Sequence, residues 1–251
     1  MNSMKAALAL IFSLVFTIVT SADDTTPYYS QSYVILIKGA EAGTETVTEK
    51  RNEKGELVSS SGHEIFVTDG LEVKRMAFTT TMVFEKDTKT PVSLALQYIT
   101  GSGSGDSYDV RIKDGQITRL LNKRGQIVES TVPFQPNMLI FDNSAYHQYD
   151  YLVQHYDMKK GGRQQFQYFV PVIANDIPLA LTFLGDDDID FKNGKIPVKN
   201  FKIEFVGIWG GTFAVDRDNR LVRLVVPAQN LEVLRKDIWN YVKPDTKPPT
   251  Q

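Results

Sequence analysis

The densest set of side chains able to do acid–base or ligand chemistry is the run "DNSAYHQYDYLVQHYD", residues 142–157, which carries four tyrosines and two histidines. On a helix, His147 and Asp150 stand three residues apart and form a pair that could tune a proton-carrying group. His147 and His155 stand eight apart, which separates them by about 80° around a helix axis and about 12 Å along it, so one metal ion cannot take both. No nucleophile or third partner lies near either histidine in the sequence. The spacing therefore reads first as packing. Ala145, Tyr149, Leu152 and Tyr156 recur at helical period, Asp142, Asn143 or Ser144 can cap, and Gly161-Gly162 can end the segment. The expectation is one amphipathic helix of three to four turns that buries this stripe against a sheet.

Three other stretches approach known motifs. "HEIFV" (63–67) begins like the zinc-protease H-E-x-x-H, but Val67 occupies the second ligand position and the segment reads as strand. "GSGSG" (101–105) places Gly103 where a nucleophile elbow needs serine, so it reads as a hairpin turn. "DDDIDF" puts Asp186, Asp188 and Asp190 at alternate positions, as a calcium loop does. Phe191 and Pro197 then stand where that loop needs glycine and glutamate. A solvated acidic turn is the reading for this run, with the three aspartates kept as a calcium candidate. Otherwise no metal site, no cofactor and no catalytic residue is expected from spacing.

The elements that must position these residues have period two. Met76, Phe78, Met82 and Phe84 share one strand face, opposite Arg75, Thr79, Thr81 and Glu85. Leu94, Leu96 and Tyr98 alternate with polar or small residues, as do Phe201, Ile203 and Phe205. One wet and one dry face is the mark of antiparallel sheets. Turn signals fall at "NEKG" (52–55), "TDG" (68–70), "KDG" (113–115), "KRG" (123–125) and Asp216–Asn219. The fold class expected is mainly β: a strongly curved antiparallel sheet or open barrel of long hairpins, with one helix packed on the concave face. "NLEVLRKDIW" near the end fits strand or helix equally.

The chain has 251 residues, a formal net charge of −2 and no cysteine. There is no basic excess or basic–aromatic patch to suggest nucleic acid, and disulfide and thiolate chemistry are excluded. Lys5, the apolar or hydroxyl run Ala6–Thr20 and the small residues Thr20-Ser21-Ala22 make a secretory signal peptide, too short to span a membrane as a helix. The organisation expected is a signal peptide (1–22), a polar leader (23–32), a single β-rich domain (33–240) and a disordered proline-rich tail (241–251). That places the chain in the periplasm or outside the cell, not membrane-spanning after cleavage.

"PLALTFLGDDDIDFKNGKIPVKNFKIEF", followed by "TFAVDRDNRLVRLVVPAQNLEVLRK" and preceded by a Gly43-Thr44-Glu45 start, resembles β-rich domains of uncharacterised exported bacterial proteins. In some of those the domain stands alone; in others it precedes an α/β-hydrolase or peptidase domain. The architecture is also broadly similar to the half-barrels of lipoprotein carriers and sorting factors. The resemblance implies no catalytic residues. The function expected is that of a non-enzymatic exported protein that binds an apolar or amphipathic, lipid-like ligand, or that serves as a cell-envelope interaction module. The alternative is an exported hydrolase or the detached accessory domain of one. A single helix cannot cover a wide sheet, so the expected ligand cleft lies between Tyr146 and Tyr149 and the strand residues Met76, Phe78, Met82, Phe84, Phe201 and Phe205. Export itself is checked by N-terminal sequencing of protein secreted by its host, which should begin at Asp23; soluble, folded protein that still begins at Met1 would contradict it.

Overall fold

The computed structural model describes residues 28–69, 72–86, 90–100, 103–192 and 194–242. The segment read as a signal peptide, with its expected cleavage point, and the tail beyond residue 242 lie outside these residues. The described residues form one 15-stranded sheet in the order β8-β7-β6-β5-β4-β3-β2-β1-β15-β14-β13-β12-β11-β10-β9. The first eight strands are β1 (Tyr29–Ile37), β2 (Ala40–Arg51), β3 (Leu57–Asp69), β4 (Glu72–Phe84), β5 (Pro91–Thr100), β6 (Gly103–Lys113), β7 (Gln116–Lys123) and β8 (Gln126–Pro133). The rest are β9 (Met138–Ile140), β10 (Arg163–Val170), β11 (Asn175–Phe191), β12 (Gly194–Phe205), β13 (Trp209–Asp216), β14 (Leu221–Val226) and β15 (Leu231–Arg235). Two meanders thus share one sheet, joined where β1 pairs with β15. Every pairing is antiparallel except β9 with β10. β1 begins inside the stretch read as a leader. The ambiguous C-terminal run is both things in turn: strand β15, then a short helix over Lys236–Val242.

The curvature has identifiable causes. Register shifts interrupt the ladders at Ile35/Leu36, Val83/Phe84, Gln97/Ile99, Phe183/Gly185 and Ala214/Val215, and each such bulge bends its strand and adds twist. Gly43 is needed for close approach: a Cβ there would sit 2.2 Å from the Glu64 carbonyl oxygen. The sheet coils far enough for Arg119 on β7 to donate to the carbonyls of Pro171 and Val172, beyond β10. β1 is buried on both faces. Tyr33 and Ile35 join the concave core, and Val34 and Leu36 join a smaller outer cluster capped by Ile238.

Residues 138–157 run through the concavity. The helical segment differs from the expected regular helix. It is a 3₁₀ turn (Tyr146–Gln148), one α-turn (Tyr149–Leu152, α1) and a second 3₁₀ turn (Val153–His155). None of the three has a side-chain cap. Asp142 instead accepts from Ser144 N and from the Tyr108 hydroxyl. The segment ends at Tyr156, in extended conformation, well before Gly161-Gly162. The expected stripe of Ala145, Tyr149, Leu152 and Tyr156 is buried, but so is every residue from 145 to 153. The cause is enclosure: the sheet surrounds the segment, so it has no wet face, and surrounding contacts rather than an uninterrupted helical ladder hold its shape.

Leu152 is 2 % exposed. Its truncation to Ala should lower unfolding free energy by about 2–5 kcal/mol in denaturant titration. A loss under about 0.5 kcal/mol, the size expected of a surface site, would mean the segment is not enclosed.

Candidate functional site

Enclosure has a chemical consequence, because the segment carries His147, Gln148 and Asp150 into the core with it. Each must find a partner there. Gln148 Oε1 accepts from Asp142 N at 2.7 Å. The other two organise separate clusters, both anchored on β2, where Glu45 and Glu49 are four residues apart on the inward face.

In the first cluster His147 Nδ1 donates to Glu45 Oε1 at 2.5 Å, and His63 Nε2 lies 3.2 Å from the same oxygen. Ser61 Oγ is 2.8 Å from His63 Nε2 and 2.7 Å from Thr80 Oγ1. The His63 ring stacks on Phe78 with centroids 4.2 Å apart. Burial pushes the Glu45 carboxyl up, but the two imidazoles outweigh it and hold the group at about 2. Glu45, His63 and His147 are also the described residues whose donor atoms, all within 4.8 Å of one another, could hold a metal ion.

In the second cluster Arg220 grips Glu49 with both terminal nitrogens, at 2.9 and 2.8 Å. It reaches Asp150 Oδ2 at 3.3 Å, and the Tyr29 ring lies 3.9 Å beneath its Cζ. Tyr151 donates to Glu49 at 2.8 Å, and Leu221 N donates to Asp150 Oδ1 at 2.5 Å. One guanidinium thus faces two buried carboxylates. Glu49 takes the bidentate contact; burial pushes it up, yet the Arg220 bonds win and lower it. Asp150 has the longer contact, and its burial outweighs Arg220 and the Leu221 N–H, pushing it up to about 8.

This cluster floors a cleft of about 310 Å³ that is also lined by the basic Arg51 and Lys86, the acidic Glu85 and Asp218, and Tyr28, Leu57, Phe84, Gln154 and Asn219. Behind it lies an apolar gap of about 20 Å³ among Met82, Phe84, Met138, Phe141, Tyr151 and Leu152. Phe84 and Tyr151, with ring centroids 4.3 Å apart, stand between the two.

The sequence-predicted residues fall out as follows. Phe78, Met82, Phe84, Phe201, Phe205, Tyr146 and Tyr149 all join one buried cluster, in which Phe201 stacks on Phe213 at 5.4 Å. Met76 stands apart at the rim, 44 % exposed. The open cleft expected between helix and sheet is filled down to that small gap, because the segment packs with all its faces rather than one. Asp186, Asp188 and Asp190 lie on β11, not in a turn. Lys199 and Lys195 stand opposite the outer two in register, and Lys195 Nζ is 3.7 Å from Asp188. Alternate strand positions are about 7 Å apart, wide for a single ion. His63 points into the core while Glu64 pairs outside with Arg75 at 2.6 Å, as alternation requires. His147 is buried and His155 exposed. Glu45, Glu49, Arg220 and the role of His63 were not found from spacing, since their partners lie from 18 to 171 residues away along the chain.

No family model and no curated protein matches the chain. Among solved structures it is similar to a β-barrel-like protein of a domain of unknown function, DUF1849, from Brucella abortus. The likeness covers 82 % of this chain and 93 % of that one, with a TM-score of 0.57 at 9 % identity. It shows the fold alone. Among the described residues no helix is long and apolar enough to cross a membrane.

The raised Asp150 carboxyl fixes a pH signature. Between the unfolded value near 3.8 and the folded value of about 8, the folded state holds a proton that the unfolded state has released. Stability from this group is therefore full below the lower value and is lost as pH rises through the upper one. Denaturant titrations from pH 5 to pH 8 should show wild-type stability falling relative to Asp150→Asn. Parallel curves for the two proteins would contradict the assignment.

Proposed function

We propose that this protein is an exported, non-enzymatic binding module of the periplasm or cell exterior that holds an amphipathic, lipid-like ligand. The observation that carries the reading is the Phe84–Tyr151 ring pair, with a charged cleft on one side and an apolar gap on the other. A ligand with a polar head would rest its head in the cleft, beside Arg51 and Lys86. Its apolar tail would part the two rings and follow Met82 and Leu152 inward. Methionine and aromatic walls re-pack readily around a flexible chain. The β-barrel-like fold and the signal-type N-terminus agree with this role.

The hydrolase reading keeps one supporting observation, the two carboxylates at the cleft floor with opposite pKa perturbations. Both are engaged by Arg220, and Asp150 also by the Leu221 N–H. Their side chains are only 1 % and 3 % exposed. Their oxygens are taken up by these internal contacts, which favours binding over catalysis.

Titration with fluorescent fatty-acid and lysophospholipid analogues tests the proposal. Saturable binding at about micromolar Kd is expected, weakened for anionic heads by Lys86→Glu and altered for all heads by Phe84→Leu. If no analogue binds the folded protein, the lipid reading fails and an envelope-protein partner takes its place.

A further inference from the structure

The Glu45–His63–His147 cluster turns two imidazoles toward one buried carboxylate oxygen. His63 Nδ1 and His147 Nε2 have no hydrogen-bond partner, so each ring bonds only through the nitrogen that faces the cluster. Glu45 accepts from the His147 backbone N–H at 3.3 Å and meets both imidazoles, and among the described residues no Lys or Arg pairs with it. The second cluster, by contrast, has a guanidinium. The three side chains of the first are sealed from water with their facing donor atoms all within 4.8 Å of one another, a convergence of buried polar atoms that a cation would satisfy.

We propose that Glu45, His63 and His147 bind one divalent transition-metal ion, with zinc the best match. Two imidazole nitrogens and one carboxylate oxygen form a donor set suited to a borderline-soft cation. Ligand atoms at 2.0–2.1 Å around a tetrahedral ion lie about 3.3 Å apart. The present separations from Glu45 Oε1 are 2.5 and 3.2 Å, and all three donor atoms lie within 4.8 Å of one another, so side-chain rotations bring them to that value. Ser61 Oγ, 2.8 Å from His63 Nε2, stands next to the fourth position. Protons and charge balance without a co-reactant. Ligation uses the Glu45 carboxylate and the neutral form of each imidazole, its proton on the nitrogen that faces away from the ion, so the bound site carries +1.

The three ligands come from β2, β3 and the internal segment, and all are at most 4 % exposed. The ion would clamp the segment to the sheet wall and leave no room for a substrate, so the site is structural. This inference does not rest on the lipid reading; either can fail alone.

The test uses the full secreted chain, stripped with a chelator and confirmed folded by circular dichroism. Zinc is titrated calorimetrically, and cobalt(II) is added in parallel as a spectroscopic probe. One zinc per chain, with cobalt showing the strong visible absorption of four-coordinate geometry, is expected. His63→Gln and His147→Gln should each lower affinity at least roughly tenfold, while His155→Gln leaves it unchanged. If His147→Gln fails to fold, His63→Gln and the wild-type titration decide the matter. A folded wild-type chain that takes up neither ion overturns the proposal. So does binding that His63→Gln leaves untouched, which would mark a surface site.

Discussion

A polar side chain enclosed on every side cannot reach water, so it must be paired inside or it destabilises the fold by its full desolvation penalty. The structure turns on this constraint at the segment 145–153, where the coiled sheet leaves no exposed face. His147, Gln148 and Asp150 would each be destabilising alone. Placed against Glu45, Thr80, Arg220 and the Leu221 N–H, they become anchors. β2 supplies the two carboxylates that face them, and Gly43 lets β2 lie close against β3, where His63 completes the first cluster. The bulges that coil the sheet, the close approach at Gly43 and the short turns of the segment all serve one packing problem.

The same anchors bear on the proposed ligand exchange. A plug of leucine and phenylalanine would lose its whole burial energy on leaving the concavity. One carrying histidine, glutamine and aspartate regains hydration of those groups when exposed, which offsets part of the loss. The apolar cluster around Phe78, Met82, Phe201 and Phe205 is closed in this state. On the proposed reading, its contents would give way to an acyl chain more readily than a uniformly apolar core would. The Phe84–Tyr151 pair lies at the junction where such an exchange would begin.

Much of this architecture was legible in the sequence because its cause is local. Alternation at Phe78–Met82–Phe84 and at Phe201–Ile203–Phe205 follows from a sheet with one dry face, and the turns follow from glycine and asparagine chemistry. The helical spacing after Asp142 marked the right segment. It implied the wrong environment, since periodicity reports which residues are apolar and not how many neighbours surround them. The acidic run at 186–190 read as a turn because charge density looks alike in a loop and on an exposed strand; lysines on β12 make the strand tolerable. The two clusters were illegible for a different reason. Glu45 meets His147 across 102 residues and Glu49 meets Arg220 across 171, and no spacing rule connects strands that meet only after the sheet has coiled.

Amide hydrogen exchange on wild type and Arg220→Gln tests most directly whether charged anchors hold the segment in place. If they do, residues 146–153 are protected in wild type. In the variant they lose that protection selectively, while β1, β2 and β15 keep theirs. Equal loss across the whole sheet, or no change in the segment, would contradict the account.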